Sequence, residues 1–116
     1  MRASATKLYG LEVHVLDRTV GGPKADLVHE LGGTYHSGSV KDLDFEPDTI
    51  IECTGAGQVI AESIQKIGAN GIVCLAGIGH GGSATQATIA DVASTAVLRN
   101  NVIVGSVNAN KRHWYR

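Results

Sequence analysis

Gly71 to Gly82 reads GIVCLAGIGHGG, a short apolar run from Ile72 to Ala76 that stops at Gly77, Gly79, Gly81 and Gly82. An apolar run of this length bounded by glycines is the pattern of a buried strand of a parallel sheet. Gly77-x-Gly79-x-x-Gly82 also matches the G-x-G-x-x-G fingerprint, in which glycines let the backbone approach a pyrophosphate at a helix N-terminus.

Two context tests go against that match. The apolar periodicity of a helix does not resume until Ile89, so no helix opens on the glycines. The fingerprint also requires an acid at the end of the following strand, for a ribose hydroxyl. That strand ends in Gly105-Ser106-Val107-Asn108, and Asp91 is expected mid-helix on a solvated face. The glycines are therefore read as a loop where a ligand or a neighbouring loop passes closely. The sought acid stands instead at Asp17, after the apolar run Leu11–Leu16. A fingerprint would precede such an acid by about 20 residues, which lies before Met1. The first strand and its glycine turn are expected to be missing.

Outward from these points the chain alternates. Met1–Tyr9 reads as a helix end stopped by Gly10, and Leu11–Leu16 as a strand. Gly21-Gly22-Pro23 starts a helix with Leu27, Val28 and Leu31 on its apolar face, ended by Gly32-Gly33. Thr34–His36 is a strand, Ser37–Pro47 a polar loop and Asp48–Cys53 a strand with exit loop Thr54–Gly57. Val59–Ile67 is a helix, Thr88–Arg99 another, and Val102–Val107 the last strand before a polar tail ending Trp114-Tyr115-Arg116. Strands alternating with amphipathic helices indicate an α/β, doubly wound, mostly parallel sheet with helices on both faces. In such sheets ligands bind beyond the carboxyl ends of the strands.

Composition narrows the function classes. With 116 residues, 43% hydrophobic and 18% charged, the chain suits one domain. A net charge of -1 and no Lys/Arg run beyond two residues argue against nucleic acid or an anionic membrane as partner. No apolar run reaches the roughly 18 residues of a membrane span, and Met1–Gly10 lacks a signal-peptide core, so a cytoplasmic location is expected. Cys53 and Cys74 are expected to be buried thiols, and His14, His29, His36 and His113 show no metal-ligand spacing.

The runs LEVHVLDR, PKADLVHELGGTY, IIECTGAGQVI, GIVCLAGI and NNVIVGSVNANKRHWY carry a resemblance. They are similar to the nucleotide-binding domain of medium-chain zinc-dependent dehydrogenases, in the archaeal and bacterial glucose 1-dehydrogenase branch. The most specific piece is Val104-Gly105-Ser106-Val107-Asn108. The resemblance implies that residues 1–116 are a partial NAD(P)-binding Rossmann domain, lacking the first strand and fingerprint, with the catalytic zinc domain absent. It also implies NADP or NAD as cofactor, a sugar oxidised at C1 in the complete enzyme, and a homo-oligomer when complete.

By position, the resemblance puts Asp17 and Arg18 at the adenosine ribose, and Thr54 and Gly55 along the cofactor groove. Gly77, Ile78 and Gly79 fall at the nicotinamide end. Ser106, Val107 and Asn108 fall beside them, with Asn108 reaching nicotinamide and sugar. Each residue has a plainer reading. Asp17 can be a solvated strand end, Arg18 a surface charge and Thr54-Gly55 turn chemistry. Asn108 or Asn110 can cap the last helix, and His80 can be an exposed loop residue. The expected function is a fragment, inactive alone, of an NAD(P)-dependent glucose or aldose 1-dehydrogenase. The alternatives are a stand-alone nucleotide-binding or interaction module, or another medium-chain alcohol or polyol dehydrogenase.

Overall fold

The structure, a computed structural model, describes residues 10–79, 85, 87–108 and 110–114. The expected helix at Met1–Tyr9, the glycines Gly81 and Gly82 with His80, and the end of the tail lie outside the described residues. The chain divides into two compact units, Met1–Asp42 and Leu43–Arg116.

In the first unit, β1 (His14–Asp17) and β2 (Thr34–Ser37) pair in parallel, joined through α1 (Pro23–Glu30). Proline suits the first turn of α1 because the amide it lacks would have no intrahelical partner there. The expected apolar face of α1 is rotated. Ala25 is its buried residue, while Leu27 is 54% exposed. A two-stranded sheet is narrow, and α1 packs chiefly on β2, so only the row carrying Ala25 is covered. The segment expected as a plain polar loop contains a 3-10 turn, Val40–Asp42, anchored by buried Val40.

Parallel register places Leu16 opposite His36, which brings His36 beside His14 on the same face. The two rings share a 2.8 Å hydrogen bond between His14 Nδ1 and His36 Nε2, and His14 Nε2 lies 3.0 Å from Glu12 Oε1. Their centroids are 5.0 Å apart, so the bonded nitrogens face each other rather than a common third point.

The second unit is the larger. Strands β3 (Thr49–Glu52), β4 (Ile72–Leu75) and β5 (Val102–Gly105) form a parallel sheet in that order. They are connected by α2 (Gly57–Lys66) and α3 (Ile89–Leu98), and α4 (Lys111–Trp114) follows. Strand alternation sends Ile50, Val73 and Leu75 to one face, where Ile64 and Ile67 of the α2 segment and Val92 and Ala96 of α3 close a core around Val73. The other face carries Ile51, Ile72, Val102 and Val104, all exposed. Cys53 is exposed and Cys74 half-buried, against the expectation of two buried thiols, because both point away from the helix-covered face or lie past the strand end.

α3 opens on a capping box. Thr88 Oγ1 accepts from the Asp91 amide at 3.2 Å, and the Asp91 carboxylate accepts from the Thr88 amide at 3.2 Å. Asp91 is therefore in the first turn rather than mid-helix, where its charge complements the helix N-terminus. At the amino end of the sheet, Arg99 donates 2.7 Å bonds to the Ile67 carbonyl and to Glu46 Oε1. Asn101 Nδ2 donates to the Gly68 carbonyl at 2.8 Å.

The fold is α/β, with parallel sheets and alternating helices, Rossmann-like and incomplete. It departs from one continuous sheet. Among the described residues β1 pairs only with β2 and β3 only with β4, so each keeps one unpaired edge.

Core burial sets the first prediction. Ile67 is fully buried and Ile51 is 67% exposed. Ile67→Ala is expected to cost about 2–5 kcal/mol, and Ile51→Ala less than about 1 kcal/mol. Urea unfolding of both variants measures the difference.

Candidate functional site

The carboxyl ends of β3, β4 and β5 lie side by side, with Glu52, Leu75 and Gly105 in register. Their exit segments are Thr54–Gly55, Gly77–Gly79 and Ser106–Asn108. The sequence expectation placed site residues on all three, and register makes them neighbours. The Ser106 amide donates to the Leu75 carbonyl at 3.0 Å, extending β5 along β4 into this region.

The first two exit loops touch backbone to backbone. A Cβ on Gly55 would sit 2.2 Å from the Gly79 nitrogen, and one on Gly77 would sit 2.3 Å from the Gly55 nitrogen. A Cβ on Gly79 would meet the Gly55 oxygen at 2.0 Å. Gly55 also has φ +67°, the left-handed region. Glycine is thus required on both sides of the crossing. The loop-passing reading of Gly77–Gly79 holds, and the passing element is the β3 exit loop.

Glu52 holds this crossing, and sequence reasoning missed it. Its side chain is 3% exposed at the last position of β3. Oε1 accepts from the Thr54 amide at 2.6 Å and the Thr54 hydroxyl at 2.5 Å, and Oε2 accepts from the Gly55 amide at 3.0 Å. Its backbone carbonyl accepts from the Ala76 and Gly77 amides at 2.8 and 3.0 Å. One residue therefore grips both loops. The signal in the sequence is an acid two residues after Ile50 in DTIIEC, on the inward-facing row, where burying a charge is costly unless it is fully hydrogen-bonded.

Thr54 Oγ1 also accepts from the Ala56 amide at 3.1 Å. α2 then starts at Gly57, two residues earlier than expected, with Ala56 as N-cap and no side-chain cap bond. Ile78 is exposed between its glycines, at 74%. Ser106, Val107 and Asn108 are exposed. Asn110, the alternative cap, takes that role: its Oδ1 accepts from the Arg112 amide at 3.2 Å, at the start of α4.

In the first unit Asp17 ends β1, with Arg18 exposed after it. Asp17 Oδ2 accepts from Lys24 Nζ at 2.7 Å and Oδ1 from the Thr19 amide at 3.2 Å. The Lys24 hydrogen bond, then the Thr19 amide, hold the Asp17 carboxyl below its ordinary value. The same hydrogen bond from Lys24 to Asp17 raises the lysine. Lys24 was not anticipated; its place on the first turn of α1 puts it over the strand end. Among the described residues no group of three His, Cys, Asp or Glu could hold a metal ion.

With this geometry in view, the comparisons with known proteins decide the family. Residues 3–116 match the model of the glucose dehydrogenase C-terminus. The chain belongs to that family. It is 39% identical over 109 residues to glucose 1-dehydrogenase 2 of Vulcanisaeta moutnovskia, covering 93% of this chain and 31% of that protein. It is 34% identical to glucose 1-dehydrogenase 1 of Caldivirga maquilingensis, covering 90% and 30%. Among solved structures, the Haloferax mediterranei glucose dehydrogenase in complex with NADP, Zn and gluconolactone is similar, with TM-score 0.78 and 28% identity over 90% of this chain and 31% of that one. The chain thus spans under a third of the length of these glucose dehydrogenases.

Two predictions follow from the geometry. Gly79→Ala is expected to destabilise the second unit by about 1–3 kcal/mol through overpacking, because its Cβ would meet the backbone of Gly55, which cannot swing aside. Chemical denaturation measures it, and a neutral result would contradict the crossing. Lys24→Met is expected to raise the Asp17 carboxyl toward the ordinary aspartate value, read by carboxyl-carbon NMR titration. Because the folded Asp17 value is lowered, its stabilising contribution is present above the unfolded value and is lost as pH falls through the folded one. Lys24, raised, contributes below its unfolded value and loses this as pH rises through its folded one.

Proposed function

We propose that this chain is the nucleotide-binding portion of a zinc- and NAD(P)-dependent glucose 1-dehydrogenase of the medium-chain type. In the complete enzyme it would hold the nicotinamide cofactor that takes hydride from C1 of glucose or a similar aldose. The observation that carries this is the parallel β3–β4–β5 sheet with its glycine loop crossing at the carboxyl end, in a chain of the glucose dehydrogenase C-terminus family.

The residues present fit the cofactor. Gly55, Gly77 and Gly79 press the two loops together at backbone distance, and the β5 exit beside them is open, with nothing within 4 Å of a Cβ on Gly105. Gly77, Ile78 and Gly79 form the floor at the nicotinamide end, and Thr54 and Gly55 support it. Ser106, Val107 and Asn108 form the adjoining wall. A side-chain amide both donates and accepts, so Asn108 can bond a carboxamide and a sugar hydroxyl. Asp17 and Arg18 meet the adenosine ribose. The carboxylate suits a 2′-hydroxyl and the guanidinium a 2′-phosphate. The bound cofactor supplies the hydride acceptor, and the zinc would be held by residues outside this chain.

The same reading carries a cytoplasmic location, a homo-oligomeric complete enzyme, and no nucleic-acid or membrane partner. The near-neutral charge is in keeping with the absence of a nucleic-acid partner, and among the described residues no helix is long and apolar enough to cross a membrane.

The 116-residue chain is expected to bind NADPH or NADH, seen as a change in nicotinamide fluorescence on titration, and to be inactive alone. Absence of binding to either at millimolar nucleotide would overturn the cofactor role. Glucose-dependent reduction of NADP or NAD above a protein-free blank would overturn the claim that the chain lacks catalysis by itself.

A further inference from the structure

We propose that Glu52 is a positioning residue for the nicotinamide end of the groove, acting as a clamp that fixes two loops at once. The inference rests on the cofactor reading above and adds to it a residue that touches no cofactor.

Three observations carry it. Glu52 is nine-tenths or more buried, and its carboxylate takes donors of the β3 exit loop: the Thr54 amide, the Thr54 hydroxyl and the Gly55 amide. The Glu52 carbonyl takes two amides, Ala76 and Gly77, at the start of the β4 exit loop. Beyond these bonds the two loops meet at Gly55, Gly77 and Gly79 with no room for a methyl group. Turns of this kind are otherwise free to move, since their amides have no ladder partners. A carboxylate taking several bonds from one loop costs that loop its freedom and fixes where its backbone lies.

The consequence is a division of labour. Thr54 and Gly55 direct their donors inward to Glu52, so their part at the groove is to press Gly77–Gly79 into position. The floor under the nicotinamide is then set by Glu52 through Gly55. A neutral Gln keeps the shape of Glu but turns an amino group toward the Gly55 amide, donor against donor, which leaves that amide only its longer 3.2 Å bond to Oε1 and loosens the loop.

The test uses the full 116-residue chain, with Glu52→Gln and the milder Thr54→Val, which deletes one hydroxyl bond of the clamp. Amide resonances are followed by nitrogen-15 NMR, and NADPH affinity by fluorescence titration well below the unfolding temperature. The expected result is displacement of the Thr54, Gly55, Ile78 and Gly79 amides in both variants, with NADPH affinity lowered about tenfold in Glu52→Gln and less in Thr54→Val. A Glu52→Gln protein that folds and binds NADPH as tightly as the wild type overturns the proposal. So does displacement confined to Thr54 and Gly55 with Ile78 and Gly79 unmoved. A purely structural Glu52 would lower the unfolding temperature without changing the affinity of the folded protein. If the wild type binds neither NADPH nor NADH while the variants displace all four amides, the cofactor reading fails and the two-loop clamp stands.

Discussion

The second unit depends on two polypeptide backbones being allowed to touch. Where β3 and β4 end, the exit loops cross at a distance that excludes every side chain, and three glycines supply the space. Such contact leaves loop amides without ladder partners, and an amide left without an acceptor costs about as much as a lost hydrogen bond. Glu52 removes that cost, with its carboxylate on one loop and its carbonyl on the other. The buried carboxylate and the unladdered loop amides satisfy each other.

The opposite end of the same sheet is closed by a different chemistry. Arg99 reaches the carbonyl of fully buried Ile67 and the Glu46 carboxylate, while Asn101 takes the Gly68 carbonyl. There the groups needing partners are carbonyls at a helix C-terminus, so donors do the work. At the carboxyl end the groups are amides, so an acceptor does it. Between these ends Val73 of the sheet packs against Ile64 and Ile67 of the α2 segment, with Val92 and Ala96 of α3 beside them. That leaves the carboxyl end free to be shaped by its loops.

How much of this was legible in the sequence follows from the range of each interaction. Parallel strands alternating with helices show in local periodicity, and β2, β4, α3 and β5 fall where the residues place them, within a residue or two at their ends. The glycine loop was separable from a pyrophosphate turn because helix onset and a downstream acid are also local signals. Other features depend on register. The contact of His14 with His36 follows from Leu16 facing His36 across β1 and β2, which no local pattern encodes. Leu27 looked like core because its spacing is helical, but the strand that would cover it is not beside β1 among the described residues. Glu52 looked like an ordinary polar strand end, since its partners belong to turns whose direction only the fold reveals.

That orientation changes what the site can offer a ligand. Resemblance places Thr54 and Gly55 in the groove, and a hydroxyl next to a glycine suggests hydrogen bonding to the bound molecule. Yet the Thr54 amide and hydroxyl and the Gly55 amide are all directed to Glu52, and the hydroxyl oxygen also accepts from Ala56. To donate outward they would have to abandon a buried carboxylate, which is expensive. The β4 exit begins under the same restraint, with the Gly77 amide on the Glu52 carbonyl. Under the proposed function, side-chain hydrogen bonding at this end would fall to the β5 exit, where Ser106 to Asn108 are exposed and the chain beside Gly105 is open. Ser106 and Asn108 both carry side chains that donate and accept, and the Asn108 amide does so through two separate atoms.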